Sequence, residues 1–215
     1  MLDAKIKVVL EKALTRVDGE EARGPRLLDD ARRLFSRVRM MVGLNLLAAA
    51  PEPDALELAC HALQLPLRQL KMLPTGKLSR ATLRERAEQA AEMLVGMLEE
   101  LAGDVLLDAT TRLLHEIPLR APSLEAARLL ADAVNLEDFG ATGMLLEMVH
   151  LARSGGGLSQ LAAGLETREQ YGYWEARLKD GFHFEPLRDI ARGRLENTRA
   201  TAALIRAEMN EDRGA

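Results

Sequence analysis

The chain has 215 residues, of which 47% are hydrophobic and 3% aromatic, and a formal charge of −4. That length can bury one sizeable core, as one domain or two small ones, and the acidic balance supplies no basic surface for nonspecific nucleic-acid binding. The single cysteine, Cys60, excludes an intramolecular disulfide and a multi-cysteine zinc site.

Residues 2–18 are expected to form an amphipathic helix, with Ile6, Val9, Leu10, Ala13 and Leu14 on one face. The opening MLDAKIKVVLEKAL lacks the apolar core of a signal peptide, and no apolar run approaches the roughly 18 residues of a membrane span. A soluble, cytoplasmic protein without a membrane partner is the expectation. GEEARG interrupts the pattern at 19–24. A long helix is predicted from Pro25 to about Ala50, because Leu27, Ala31, Leu34, Val38, Met41 and Leu46 keep a helical period until Pro51-Glu52-Pro53. Shorter helical pieces follow at 54–64 and from Pro66, and Pro74-Thr75-Gly76 makes a loop. That loop lacks the first glycine of a phosphate-binding loop, since Lys71 stands there, and Leu78 replaces its Ser/Thr.

Ser79 is read as the cap of SRATLRERAEQAAEMLVGMLEEL. Helices are predicted at 104–117, 123–134 and 136–153, then one or two short ones after Ser154-Gly155-Gly156-Gly157, then a terminal helix from Pro186 to about Asn210. Those glycines follow no strand, so they form no dinucleotide fingerprint. No β-branched or aromatic alternation marks a strand, and no linker divides the chain. The prediction is an all-α fold, a compact single-domain helical bundle. Its parts are an N-terminal helix and connector at 1–24, the bundle at 25–210 and a tail at 211–215.

The most informative stretch is Leu124–Met144, LEAARLLADAVNLEDFGATGM. It resembles the segment of HD-domain phosphohydrolases that reads like LEAKILxDADRLDxxGAIGI, in which the second Asp of the DAD triplet binds a divalent metal. Leu58-Ala59-Cys60-His61-Ala62-Leu63-Gln64-Leu65-Pro66 is similar to that family's LAALLHDIG helix. Leu34-Phe35-Ser36-Arg37-Val38 resembles its HSxRV start, and FEPLRDIARGRLENTRATAALIRAE its closing helix. The resemblance covers about residues 25–210, and its specific part is 124–144.

In such enzymes histidines and aspartates from separate helices hold Mn, Fe, Mg or a similar ion, which lowers the pKa of a bound water to make the nucleophile. The resemblance places Leu34 at the first histidine, Leu63 and Gln64 at the His-Asp pair, and Val134 at the final aspartate. Leucine and valine have no donor atoms, and a neutral amide is a weak substitute for a carboxylate. The resemblance therefore implies a degenerate HD-domain protein without a metal cofactor. An apolar plug would fill the former pocket, each buried side chain contributing roughly 1.5–3 kcal/mol. Such a protein would bind a protein partner, a small phosphorylated ligand or a second copy of itself. The alternatives are an active hydrolase with displaced ligands, drawn from His115, Asp132, Glu137 and Asp138, and an unrelated helical adaptor.

Among the remaining residues, His61 is read as a partly exposed helix residue and His115 as a helix-end histidine. No HxxxH or HExxH spacing marks a separate zinc site. Glu137 and Asp138 suit a cap for the helix beginning there, and Gly140 and Gly143 suit close helix packing. Tyr171, Tyr173, Trp174, Phe182 and Phe184 cluster in one short region. A satellite core is favoured over a ligand pocket for them. A solvated helix face is likewise favoured over an anion site for Arg188, Arg192, Arg194 and Arg199.

Overall fold

The computed structural model describes residues 2–15, 26–68, 82–153 and 155–214. Among these residues every regular element is a helix, so the all-α expectation holds, and none is long and apolar enough to cross a membrane. The described residues fall into two compact units, one ending at Ala133 and the other beginning at Val134.

The first unit contains α1 (Ala4–Thr15), α2 (Arg26–Val42), α3 (Pro53–Ala62), α4 (Leu83–Leu98), α5 (Asp104–Glu116) and most of α6 (Glu125–Asn135). Helix α3 is its centre, packed against α2, α4 and α5. Seven of its ten residues, from Ala55 to Ala62, are buried, which suits a helix with apolar groups all round. Helix α2 buries Leu27, Leu28, Ala31, Leu34, Val38 and Met41, while α1 lays Ile6, Leu10 and Leu14 inward and packs on α2. Small residues line the inner face of α4 (Ala87, Ala90 and Ala91), so its backbone comes close to its neighbours.

Helix α2 stops at Val42, short of the predicted Ala50. The N–H groups of Leu44 and Asn45 turn back to the carbonyls of Met41 and Val42, and Asn45 adopts φ 54°. Asparagine tolerates that left-handed conformation and ends helices with it. The Ser79 cap lies outside the described residues. Helix α4 starts at Leu83, where Thr82 and Glu85 form a capping box: Glu85 N–H donates to Thr82 Oγ1, and Thr82 N–H to Glu85 Oε2.

The second unit holds the end of α6, a 3-10 turn at Leu136–Asp138, α7 (Gly140–Arg153), α8 (Leu158–Gln170), α9 (Tyr173–Asp180) and α10 (Glu185–Gly214). Helix α10 packs against α7, α8 and α9. The predicted helix at 136–153 is broken, since Phe139 is extended and Gly140, the first residue of α7, has φ +80°. The Gly140 N–H finds its acceptor in Thr198 Oγ1 of α10, 2.8 Å away. A Cβ at Gly143 would lie 2.4 Å from the Asp138 carbonyl oxygen, so its close neighbour is the preceding turn and not another helix.

The favoured satellite core exists, and it is built on a residue outside the predicted cluster. Phe139 sits 5.4 Å from Trp174 and 5.7 Å from Phe182, ring centre to ring centre, and all three are buried. Tyr171 stands apart, 83% exposed.

Candidate functional site

Three of the four aligned ligand positions belong to the first unit, and all three are buried: Leu34 on α2, then Leu63 and Gln64 just beyond α3. Leu34 and Leu63 have no exposed surface. Val134 is half-buried and belongs to the second unit.

The backbone beside these positions is held by arginines. Arg86 Nε of α4 donates to the Leu63 carbonyl at 2.6 Å, and Arg37 Nη1 of α2 donates to the Ala133 carbonyl at 3.0 Å. Each carbonyl is at or near the end of a helix, where cations are favoured and orphan acceptors need donors. Positive charge in this part of the first unit is therefore carried by guanidinium groups fixed to carbonyl oxygens.

His61 is buried and not partly exposed as expected, because α3 is enclosed on nearly every side. Its Nδ1 lies 2.8 Å from the Glu57 carbonyl, and the Glu57 carboxylate meets Lys7 Nζ of α1 at 3.3 Å. Burial pushes the imidazole pKa below its ordinary value. The Glu57 carbonyl and carboxylate oppose this, and Arg32 and Lys7 reinforce it. His61 is consequently a neutral core residue near pH 7.

The displaced candidates are scattered in environment. His115 is exposed in the last turn of α5, whereas Asp132 on α6 is wholly buried. Glu137 and Asp138 lie half-buried in the 3-10 turn of the second unit. Among the described residues, no three His, Cys, Asp or Glu side chains gather into a group able to hold a metal. Leu34, Leu63 and Val134 carry no donor atoms, and Gln64 offers a neutral amide.

Asp138 takes part in a different construction. Its Oδ2 accepts from Arg177 Nη2 at 2.9 Å and from the Tyr173 hydroxyl at 3.3 Å. Arg177 Nη2 also donates to Asn135 Oδ1 at 2.8 Å, and Asn135 Nδ2 donates to the Gly181 carbonyl. Burial, followed by the nearby Asp138 charge, raises the Tyr173 pKa, so the phenol stays protonated and donates. Arg168 lies over the rings of Tyr173 and Trp174, with its guanidinium carbon 5.6 and 5.8 Å from their centres. This network ties α9 to the bend before α7.

The arginines of α10 are also engaged within their unit. Arg199 meets Glu169 and Glu175, Arg188 meets Glu185 and the Phe182 carbonyl, and Arg192 meets Asp189. No family model, curated protein or solved structure matches the chain.

Proposed function

We propose that this chain is a degenerate HD-domain protein of the cytoplasm, phosphohydrolase-like in ancestry, in which packing has replaced the metal-dependent hydrolase centre. It acts as an interaction module that binds a protein partner or a small phosphorylated ligand. The observation that carries this reading is the complete burial of Leu34 and Leu63 at positions where a metal centre needs imidazole nitrogens. Arg86 and Arg37, fixed to the carbonyls of Leu63 and Ala133, support it by supplying positive charge without an open coordination site.

The test is metal content. Untagged protein grown with Mn and Fe supplied and examined by plasma mass spectrometry should carry far less than one equivalent of either. Near-stoichiometric metal with phosphatase activity would overturn the proposal in favour of displaced ligands. A variant carrying L34H, L63H and Q64D tests the alignment within the first unit: it should gain affinity for Mn, and a folded variant with unchanged affinity counts against it.

A further inference from the structure

The charges of α1 divide by side. On its flanks, Lys7 meets Glu57 at 3.3 Å and Glu11 meets Arg32 at 2.6 Å. Its exposed residues are Ala4, Lys5, Val8, Lys12 and Thr15, while Asp3, just before it, caps the helix by accepting the Lys5 N–H at 2.7 Å. Val8 is 63% exposed, and neither Lys5 nor Lys12 has an ion-pair partner among the described residues. The stretch that ends α4 is the reverse in sign. It exposes Glu92, Val95, Gly96, Glu99 and Glu100, and none of these glutamates has an ion-pair partner among the described residues either. Glu99 and Glu100 follow a last turn that has no base, so two carboxylates crowd the negative end of a helix. A cation brought from outside relieves that repulsion.

We propose that a second copy of the chain supplies the missing counter-charges, its α1 lying parallel along α4 through Lys5, Val8 and Lys12. The two stripes share one spacing, three residues and then four: Lys5, Val8 and Lys12 on α1, and Glu92, Val95 and Glu99 on α4. Parallel helices therefore bring Lys5 to Glu92, Val8 to Val95 and Lys12 to Glu99 in successive layers, about 10.5 Å from first to last. An antiparallel approach reverses the spacing on one helix and sets the valines out of step. Ala4 and Thr15 are uncharged and Glu11 is held by Arg32, so α1 brings no free carboxylate to the contact. The two patches differ, and each chain carries both, so copies join head to tail. A pair of helices the length of α1, 12 residues, is small beside interfaces of roughly 1,200 Å² and more. The association is consequently weak, and opposite charge selects the partner.

This inference gives the interaction-module reading a partner, but it rests on α1 and α4 alone and is independent of the lost metal centre. Sedimentation of the full chain at low salt should show the mass rising with concentration, and high salt should abolish the rise. K5E/K12E and E92K/E99K should each stay single with unchanged helical circular dichroism, because like charges then face each other. An equimolar mixture of the two variants should associate again, since each α1 then meets an α4 of opposite sign on the other variant. A parent chain that stays single at every concentration overturns the proposal. So does association that survives either charge swap or high salt, and so does a mixture that stays single. A single-chain mass combined with Lys5- and Lys12-dependent flotation on phosphatidylserine vesicles would overturn it too, assigning the face of α1 to an anionic membrane. Metal content bears on none of these outcomes, so failure here and failure of the degenerate-centre reading are distinguishable.

Discussion

Arg177 Nη2 stands 2.8 Å from Asn135 Oδ1 and 2.9 Å from Asp138 Oδ2, so one nitrogen of α9 binds both sides of the bend between α6 and α7. Asp138 was one of the acids the sequence offers as a displaced metal ligand. Its carboxylate instead anchors a helix.

Removing that anchor should cost stability. Arg177 and Asp138 are each about one-third exposed, so water softens the loss, and R177M should lower unfolding free energy by about 1–2 kcal/mol. R177K should fall between R177M and the parent, because an ammonium keeps the charge but not the rigidly placed Nη2 that reaches Asn135 and Asp138 together. Urea unfolding followed by circular dichroism distinguishes the three. Equal stability of R177M and the parent would remove the network from any structural account.

Two glycines should respond in opposite directions. A methyl group at Gly143 meets the Asp138 carbonyl oxygen at 2.4 Å, and G143A should destabilise by about 1–3 kcal/mol. At Gly96, inside α4, an added Cβ meets nothing within 4 Å, so G96A should stabilise by about 0.5–1 kcal/mol. Thermal unfolding of both variants is sufficient to read the signs.

Leu34 and Leu63 should behave as core residues whatever the ancestry of their positions. Both are fully buried, and L34A or L63A should each cost about 2–5 kcal/mol, with the spread set by how far the surroundings collapse. A loss below about 0.5 kcal/mol, the range of ordinary surface changes, would contradict the packed plug.

His61 makes stability depend on pH. Burial holds its folded pKa below the ordinary value of 6.5, so the folded state favours the neutral ring. The unfolded chain takes up the proton first as pH falls. The contribution of His61 is therefore present above pH 6.5 and lost progressively below it. Unfolding free energies measured between pH 8 and about 5 should decline in the parent and decline less in H61N. Parallel curves would show that the ring contributes nothing to acid sensitivity.

The sequence made helices legible wherever an apolar face repeats, and it failed where a single backbone angle decides. Leu46 continues the period of α2, yet Gly43 and Asn45 end the helix first; both residue types are recognised stop signals that the longer apolar rhythm concealed. The Thr82–Glu85 capping box was also written in the sequence, three residues after the serine chosen instead. The break at Phe139 and Gly140 interrupts the one block that carries the family resemblance. The buried state of Leu34 and Leu63 follows directly from their helical stripes. The partners of Asp138 do not, because Arg177 lies 39 residues further along and no local pattern links them. Arg37 and Arg86 were invisible for the same reason, since their acceptors are backbone carbonyls 96 and 23 residues away.

The N-terminal bond of α7 also has a consequence in time. The Gly140 N–H is accepted by a hydroxyl that arrives 58 residues later, on Thr198. During synthesis from the N-terminus, α7 is complete as a sequence well before that hydroxyl exists. Its first turn must wait with water in place of Thr198 until about the first half of α10 has emerged. The second unit therefore reaches its final form only once Thr198 has emerged, by which time every helix of the first is available to pack.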